Sequence, residues 1–172
     1  MLTLYLASGC FWGREYYLRK LPGVVATRTG FAGGHLPHPT YQQVCEKKTG
    51  HAEVVELTYD PAVLSTRQLL TEFFSLHDFS QDRIHESGGQ YRSAIFYPAG
   101  DNRSSAALRI AYDFVETLEQ NGFPVSTQIR PVEAFYPADP RHQQYCAAKG
   151  ITPKKREAKH LKEILTASYP PK

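Results

Sequence analysis

Hydrophobic positions at the start of the chain change their spacing near residue 10. Leucines at every second position predict a strand over residues 2–7. Helix-forming residues follow from Cys10 to Lys20, and the turn residues Leu21-Pro22-Gly23 end that helix. We therefore expect Cys10 to lie at a strand-to-helix junction.

The rest of the chain continues with strand and helix periodicities. Strands are predicted at 24–31, 51–60, 91–97 and 127–132, and helices at about 40–47, 65–77, 102–120, 138–149 and 155–167. Apart from the short helix at 40–47, the order of elements up to residue 132 is typical of two split βαβ units. We expect an α+β fold, a ferredoxin-like split βαβ sandwich with additional C-terminal helices, formed by a single domain over residues 1–172.

The strand predicted at 51–60 carries an acidic residue on its apolar face. Glu53 shares that face with three apolar residues, Val55, Leu57 and Tyr59. A buried carboxylate costs free energy unless it is protonated or hydrogen-bonded, so the pKa of Glu53 should be raised and Glu53 is a candidate general acid. The alternative is an edge strand on which Glu53 faces water.

Positive charge is concentrated at the C-terminal end of the chain. The 172 residues include 20 Lys and Arg against 17 Asp and Glu, a formal net charge of +3. Residues 149–172 hold seven basic and two acidic side chains, a net +5, so the other residues sum to −2. A nucleic-acid surface would interleave aromatic residues with these charges, and the tail offers only Tyr169. We expect a solvated basic helical tail at about 150–172 and no nucleic-acid partner.

Three cysteines are too few for a disulfide framework, and this sparse count suits a reducing compartment. No Lys or Arg precedes Cys10, and the apolar run ahead of it is shorter than an export signal. No window approaches the roughly 18 consecutive apolar residues of a membrane helix. We expect a cytoplasmic protein with no membrane partner. The histidines lack zinc-site spacing, so we expect neither a metal nor an organic cofactor.

Cys10 is the strongest candidate for a reactive group. The first turn of a helix offers unpaired backbone N–H groups and a partial positive charge, which predict a lowered thiol pKa. Gly9 and Gly13 leave the backbone open to a ligand, and Phe11 and Trp12 place two aromatic rings beside the sulfur. The alternative is a buried cysteine in a core turn.

Six short motifs, in the same order along the chain, resemble the peptide methionine sulfoxide reductase A family. They run from about residue 4 to 146, and they are Gly9-Cys10-Phe11-Trp12-Gly13, Gly30-Phe31-Ala32-Gly33-Gly34-His35, Pro39-Thr40-Tyr41, Thr49-Gly50-His51-Ala52-Glu53-Val54-Val55, Gln90-Tyr91-Arg92-Ser93-Ala94-Ile95 and His142-Gln143-Gln144-Tyr145. Each motif alone is weak evidence. Their order over most of the chain makes the resemblance specific.

The resemblance implies an enzyme that reduces methionine S-sulfoxide, free or in proteins, to methionine, which is a repair of oxidative damage. Cys10 would be the nucleophile, and a Cys10 sulfenic acid would be its product. Thioredoxin or another thiol would then reduce this sulfenic acid. We expect the enzyme to be a monomer.

The resemblance also implies roles for the residues around the nucleophile. Phe11 and Trp12 would hold the methyl group of the substrate, while Glu53, Tyr41 and Tyr91 would bind and protonate the sulfoxide oxygen. These roles agree with the chemistry of the residues themselves. A sulfoxide sulfur is a poor electrophile until its oxygen is protonated, so a thiolate needs a neutral carboxyl opposite it.

The sequence departs from the family pattern in several places that affect the expected site. The family usually has Asp-x-Gly-Thr before Gln90, where this chain has Glu86-Ser87-Gly88-Gly89. Glu86 is therefore a candidate substrate-binding residue with one additional methylene. The usual glycine-rich tail with its recycling cysteines is also missing, and the basic tail takes its place.

The missing tail leaves open which thiol attacks the sulfenic acid. Cys146 replaces a usual leucine and is a candidate resolving cysteine, with a small apolar core residue as the equal alternative. Cys45 is expected to be structural, and direct reduction by an external thiol is a third route. A different thiol enzyme, or a binding module that uses the basic tail, would also fit parts of the sequence. Neither of these needs a buried acid such as Glu53.

Overall fold

The structure is a computed structural model that describes residues 1–82 and 89–168. Its strands are β1 (Leu2–Ser8), β2 (Val24–Ala32), β3 (Ala52–Tyr59), β4 (Ser93–Pro98), β5 (Gln128–Val132) and β6 (Phe135–Pro137). Its helices are α1 (Phe11–Leu18), α2 (Tyr41–Cys45), α3 (Thr66–Ser75), α4 (Ser105–Gln120), α5 (Tyr145–Lys149) and α6 (Lys159–Ser168). These elements form a mixed α/β fold.

One sheet runs through the protein in the strand order β5-β4-β1-β3-β2-β6. β1 pairs antiparallel with both β3 and β4, and β2 pairs antiparallel with both β3 and β6. β5 runs parallel to β4. The sequence analysis did not predict β6, because three residues that end in a proline are too short to show a strand period. β3 is an interior strand, which excludes the edge-strand alternative for Glu53.

The two faces of the sheet carry different residues. Large side chains from the strands pack with helices α3, α4 and α6 in the main core, which includes Leu6, Leu57, Phe73, Phe114 and Leu165. Fully burying one such side chain contributes about 1.5–3 kcal/mol. The opposite face holds a smaller cluster of mostly small residues, such as Ala7, Ala32, Ala52, Val54 and Ala94.

A glycine turn and a buried carboxylate position α1 at the end of β1. Gly9 has a φ of +105°, a value that favours glycine, and it turns the chain from the strand into the helix. Glu15 is fully buried and accepts hydrogen bonds from the Thr27 hydroxyl at 2.9 Å and from the Gln144 backbone N–H at 2.6 Å. The helix is thereby fixed against β2 and against the segment that leads into α5.

The C-terminal part is less helical than the sequence analysis predicted. Instead of helices at 138–149 and 155–167, α5 begins at Tyr145 and α6 begins at Lys159. Left-handed backbone at Gln144 (φ 49°) and Gly150 (φ 66°) bounds α5 at both ends. Residues 150–158 contain no helix, and the Tyr17 hydroxyl donates a hydrogen bond to the Pro153 carbonyl there. The tail therefore lies against α1 before its last helix joins the core.

Within the described ranges, no helix is long and apolar enough to cross a membrane.

Candidate active site

Cys10 occupies the N-cap position of α1 and is exposed. The prediction of a lowered thiol pKa is wrong, because its pKa is raised. Removal of the sulfur from water by the surrounding protein is the largest cause, and it outweighs the backbone N–H groups of Trp12 and Gly13, which lower the pKa. The Glu53 carboxylate also raises the pKa. The raised pKa favours the protonated thiol of Cys10 at neutral pH.

Glu53 is buried under the start of α1. Only 1% of the residue is exposed, and its Oε1 accepts a hydrogen bond from the Phe11 backbone N–H at 3.1 Å. Burial raises the pKa of this carboxyl to about 7, although hydrogen bonds from Gln90 and Phe11 act in the opposite direction. The prediction of a raised pKa is confirmed. A carboxyl with this pKa can both hold and release a proton near neutral pH.

Gln90 is a residue of the site to which the sequence analysis assigned no role. Its side-chain Nε2 donates to Glu53 Oε2 at 2.6 Å, and its backbone carbonyl accepts from the Glu53 backbone N–H at 2.9 Å. The same Nε2 lies 3.4 Å from the sulfur of Cys45. Gln90 precedes Tyr91 in one of the quoted motifs, and this adjacency was the signal available in the sequence. Its contacts hold the Glu53 carboxyl in one orientation.

Two tyrosines approach this carboxyl from different segments. Tyr41 is the first residue of α2, where burial and then the neighbouring Cys45 raise its pKa above the usual range. Burial, followed by the charges of Glu53 and Cys10, raises the pKa of Tyr91 to about 12. Both phenols therefore keep their protons at neutral pH and can donate hydrogen bonds to an oxygen.

Rings of five residues stack beside Cys10, and we call this group the aromatic wall: Phe11, Trp12, Tyr41, His142 and Tyr145. The Trp12 and Tyr145 rings stack at 4.0 Å between centroids, and the Tyr41 and His142 rings lie 4.4 Å apart. Trp12 Nε1 donates to His142 Nδ1 at 3.1 Å. Phe11 is 1% exposed, whereas Trp12 is half-buried. Trp12 is therefore the more accessible of the two predicted methyl-binding residues.

The motif at 142–145 holds the aromatic wall in place through Gln143 and Gln144. The Gln143 side chain bonds both backbone groups of Thr29, so it fastens the motif to β2. Gln144 takes its left-handed conformation while its N–H binds Glu15, and this turn brings Tyr145 onto Trp12. The sequence analysis used this motif for the resemblance but gave its residues no role, because their partners lie more than 100 positions away.

The remaining cysteines lie on different sides of the site. Cys146 is 5% exposed, and its sulfur lies 3.5 Å from the Trp12 carbonyl oxygen, beneath α1. This placement agrees with the alternative of a small apolar core residue, and the resolving role stays a prediction. Cys45 is half-buried beside Gln90.

Glu86, the candidate substrate-binding residue, lies outside the described residues. In residues 1–82 and 89–168, no three His, Cys, Asp or Glu side chains come together as a metal site would require.

Comparison with known proteins identifies the family of this chain. The family model for peptide methionine sulfoxide reductase matches residues 2–169. The peptide methionine sulfoxide reductase MsrA of Methanosarcina mazei is 47% identical over 150 residues, which is 84% of this chain and 69% of that protein.

Several solved structures are also similar to this chain. Methionine sulfoxide reductase A of Corynebacterium diphtheriae matches with a TM-score of 0.76 and 36% identity, covering 87% of this chain and 75% of that one. Reduced Mxr1 from Saccharomyces cerevisiae matches with a TM-score of 0.75 and 30% identity, over 90% of this chain and 92% of that one. Mxr1 in complex with Trx2 matches with a TM-score of 0.54 and 28% identity, over 90% and 89%. This chain belongs to the peptide methionine sulfoxide reductase family.

Proposed function

We propose that Cys10 and Glu53 together carry out the family's reaction, the thiol-dependent reduction of methionine S-sulfoxide to methionine. The observation that carries this proposal is the buried Glu53 carboxyl, with a pKa of about 7, bonded to the first backbone N–H of α1 beside Cys10. The acid Glu53 and the nucleophile Cys10 therefore both lie at the start of α1. A sulfoxide needs both, since its sulfur becomes electrophilic when its oxygen is protonated.

The first half of the reaction uses the protons that the site already holds. Glu53 donates its proton to the sulfoxide oxygen as the Cys10 sulfur attacks the sulfoxide sulfur. The oxygen then passes to Cys10, and methionine leaves as a thioether. The proton of the original Cys10 thiol restores Glu53, so the step converts one thiol and one sulfoxide into one sulfenic acid and one thioether.

The groups around this pair bind the two ends of the sulfoxide. The Tyr41 and Tyr91 hydroxyls stay protonated and donate hydrogen bonds to the oxygen as charge builds on it. Phe11 and Trp12 contact the methyl group, for which the aromatic wall supplies an apolar surface. From the resemblance we also assign Glu86 to the substrate, where it would bind the backbone or orient water.

The second half of the reaction needs a thiol. The complex of the yeast relative with Trx2 supports thioredoxin as one reductant of this chain. Cys146 could reach Cys10 only after local opening of the segment that buries it, because its sulfur lies against the Trp12 carbonyl. This burial favours an external thiol as the attacking group.

We also propose three broader properties. The strand order β4-β1-β3-β2 with antiparallel pairing supports a ferredoxin-like split βαβ unit at the centre of the fold. Leu161 and Leu165 of α6 join the main core, which supports a single domain that includes the tail. An exposed thiol nucleophile suits the reducing cytoplasm.

A turnover assay tests the function. We expect methionine to form from methionine S-sulfoxide with dithiothreitol as the reductant, measured by mass spectrometry. We expect no matching turnover of hydrogen peroxide, since a peroxidase would not need the Glu53 acid. Faster turnover of peroxide than of sulfoxide would contradict the proposal.

A further inference from the structure

A pocket opens at Cys10. Its volume is about 300 Å³, and it is lined by Ser8, Gly9, Cys10, Arg14, His77, Asp78 and Tyr91. We call it the charged pocket. It shares Cys10 and Tyr91 with the proposed reductase site but none of the residues of the aromatic wall. The sulfoxide step proposed above does not use its remaining residues.

We propose that the charged pocket binds a small thiol that carries the ammonium and carboxylate groups of an amino acid, and that it delivers this thiol to the Cys10 sulfenic acid. The inference rests on the proposed function, since the sulfenic acid arises in that reaction. It adds the chemical class of the reductant and the residues that recognise it.

A fixed cation and a fixed anion face this pocket together. Arg14 Nε donates to the Ser8 carbonyl at 2.7 Å, and the guanidinium lies over Gly9, 3.4 Å from where a Cβ would stand. Asp78 accepts hydrogen bonds from the Ser80 backbone N–H at 3.0 Å and from the Ser80 hydroxyl. One charge of each sign suits a zwitterion, whose carboxylate would bind Arg14 and whose ammonium would bind Asp78.

A buried hydroxyl adds a third polar group. Ser8 is 2% exposed, and its side-chain oxygen has no hydrogen-bond partner in the part of the chain that the structure describes. Buried hydroxyls are normally paired, so an unpaired one that lines a pocket points to a ligand. Gly9 separates Ser8 from Cys10 and has no side chain to block the approach to the sulfur.

The positions of the other two cysteines leave this pocket to an external thiol. Cys146 is buried against the Trp12 carbonyl, and Cys45 lies beside Gln90, so neither lines the pocket. A thiol held by Arg14 and Asp78 would have direct access to the Cys10 sulfur.

The recycling chemistry balances with two molecules of this thiol. The first attacks the Cys10 sulfur, the sulfur–oxygen bond breaks, and the oxygen leaves as water with protons from the thiol and the sulfenic acid. Tyr91, which lines the pocket, is placed to pass a proton to that oxygen. The second thiol attacks the resulting mixed disulfide, releases the oxidised thiol dimer and restores the Cys10 thiol.

A panel of three thiols tests which charges the pocket recognises. We would measure the second-order rate constant for reduction of the Cys10 sulfenic acid by 3-mercaptopropionate, cysteamine and 2-mercaptoethanol. The proteins are wild type, Arg14→Gln, Asp78→Asn and the control Arg109→Gln, which removes an exposed charge on α4. The ratio of variant to wild type for each thiol cancels differences in intrinsic thiol reactivity.

The proposal predicts a crossed pattern. Arg14→Gln should slow 3-mercaptopropionate by about tenfold, and Asp78→Asn should slow cysteamine by a similar factor, while 2-mercaptoethanol and the Arg109→Gln control change by less than about twofold. Equal losses for all three thiols, or no loss for the charged ones, would overturn it. Arg14→Lys should restore part of the 3-mercaptopropionate rate, which separates lost charge from a damaged fold.

A wild-type experiment needs no variant. S-Methylglutathione carries the amino-acid charges without a free thiol, so it should slow the recycling by 3-mercaptopropionate more strongly than the formation of the first methionine. No slowing at saturating concentrations would overturn the inference. Failure of the proposed function looks different, because wild type would then release no methionine in a single turnover before any recycling thiol is added.

Discussion

The aromatic wall and the charged pocket meet at one sulfur but differ in almost every physical property. The wall consists of stacked rings that hold one another in place, with Trp12 bonded to His142 and stacked on Tyr145. The pocket consists of a glycine turn and two opposite charges, Arg14 and Asp78, each fixed by local hydrogen bonds.

This difference in polarity matches the two molecules that we propose react with Cys10, methionine sulfoxide and a small thiol. The side chain of methionine sulfoxide is apolar except for one oxygen, so stacked rings and a few donors suffice to bind it. A small thiol reductant is charged and water-soluble, so fixed opposite charges suit it better. Under the two proposals, one exposed cysteine serves two half-reactions with separate recognition surfaces.

The largest expected effect comes from removing the sulfur that both regions share. Cys10→Ser should fold and should form no methionine, because a hydroxyl is a far weaker nucleophile than a thiol. Mass spectrometry of methionine after a single turnover checks this. Cys146→Ser serves as the control for loss of a thiol. Methionine formation by Cys10→Ser would show that another residue attacks the sulfoxide.

Removing the Glu53 carboxyl tests the sulfoxide step, which we place beside the aromatic wall. Glu53→Gln should lower kcat by about 10²–10⁴-fold, because the sulfoxide oxygen loses its proton donor. The wild-type rate of the sulfoxide step should fall as the pH rises through about 7, the pKa of Glu53, and the variant should lack this fall. A loss below about threefold at every pH would make Glu53 a structural residue.

The same substitution should increase stability at high pH. Burial raises the pKa of Glu53 from an ordinary value of 4.5 to about 7, so the folded state holds its proton over a range where the unfolded state releases it. Stability from this group is therefore lost as the pH rises from 4.5 to about 7. The stability advantage of Glu53→Gln over wild type should grow by about 2–3 kcal/mol between about pH 5 and about pH 8.

Urea unfolding of both proteins at the two pH values measures that change. Glu56→Gln is a control on the same strand, because Glu56 pairs with the exposed Arg28 and is less buried. An advantage that stays constant with pH would mean that Glu53 is ionised in the folded protein well below pH 7.

A smaller effect is expected from the wall itself. Trp12→Phe removes the donor to His142 and part of the stack on Tyr145, which leaves a buried nitrogen without its partner at a cost of about 1–3 kcal/mol. We expect KM for methionine sulfoxide to rise by about tenfold while kcat changes less. Tyr112→Phe, at an exposed position on α4, is the control. A loss confined to kcat would show that Trp12 acts on the chemical step and not on binding.

The smallest expected effect comes from Cys146. Its burial against the Trp12 carbonyl predicts that Cys146→Ser loses about 1 kcal/mol of stability and recycles with small thiols within about twofold of wild type. Steady-state rates with 3-mercaptopropionate check the second part. A strong loss of recycling would identify Cys146 as the resolving cysteine after all.

The parts of the site that the sequence predicted depend on local periodicity. The period of two along β3 placed Glu53 on the buried face, and the change of period near residue 10 placed Cys10 at the start of α1. The raised pKa of Glu53 followed from that placement alone. These features need no knowledge of distant segments.

The features that the sequence missed depend on contacts between distant residues. The pKa of Cys10 rises because packed neighbours, including Glu53 from β3, withdraw water and add negative charge, whereas the helix start alone predicted the opposite direction. The short α5 depends on Glu15, which binds the backbone of the left-handed Gln144. No role was predicted for Gln90 because nothing along the chain shows that its amide donates a hydrogen bond to Glu53.

The central claim is that Cys10 is the only cysteine that takes part in the sulfoxide step and that an external thiol then reduces its sulfenic acid. One measurement tests this claim most directly. Wild type receives one equivalent of methionine S-sulfoxide without any reductant, and methionine, free thiols and dimedone adducts are then counted by mass spectrometry. The account predicts one methionine per chain, the loss of one thiol and a dimedone adduct on Cys10. The loss of two thiols, with a disulfide between Cys10 and Cys146 and no adduct, would contradict it.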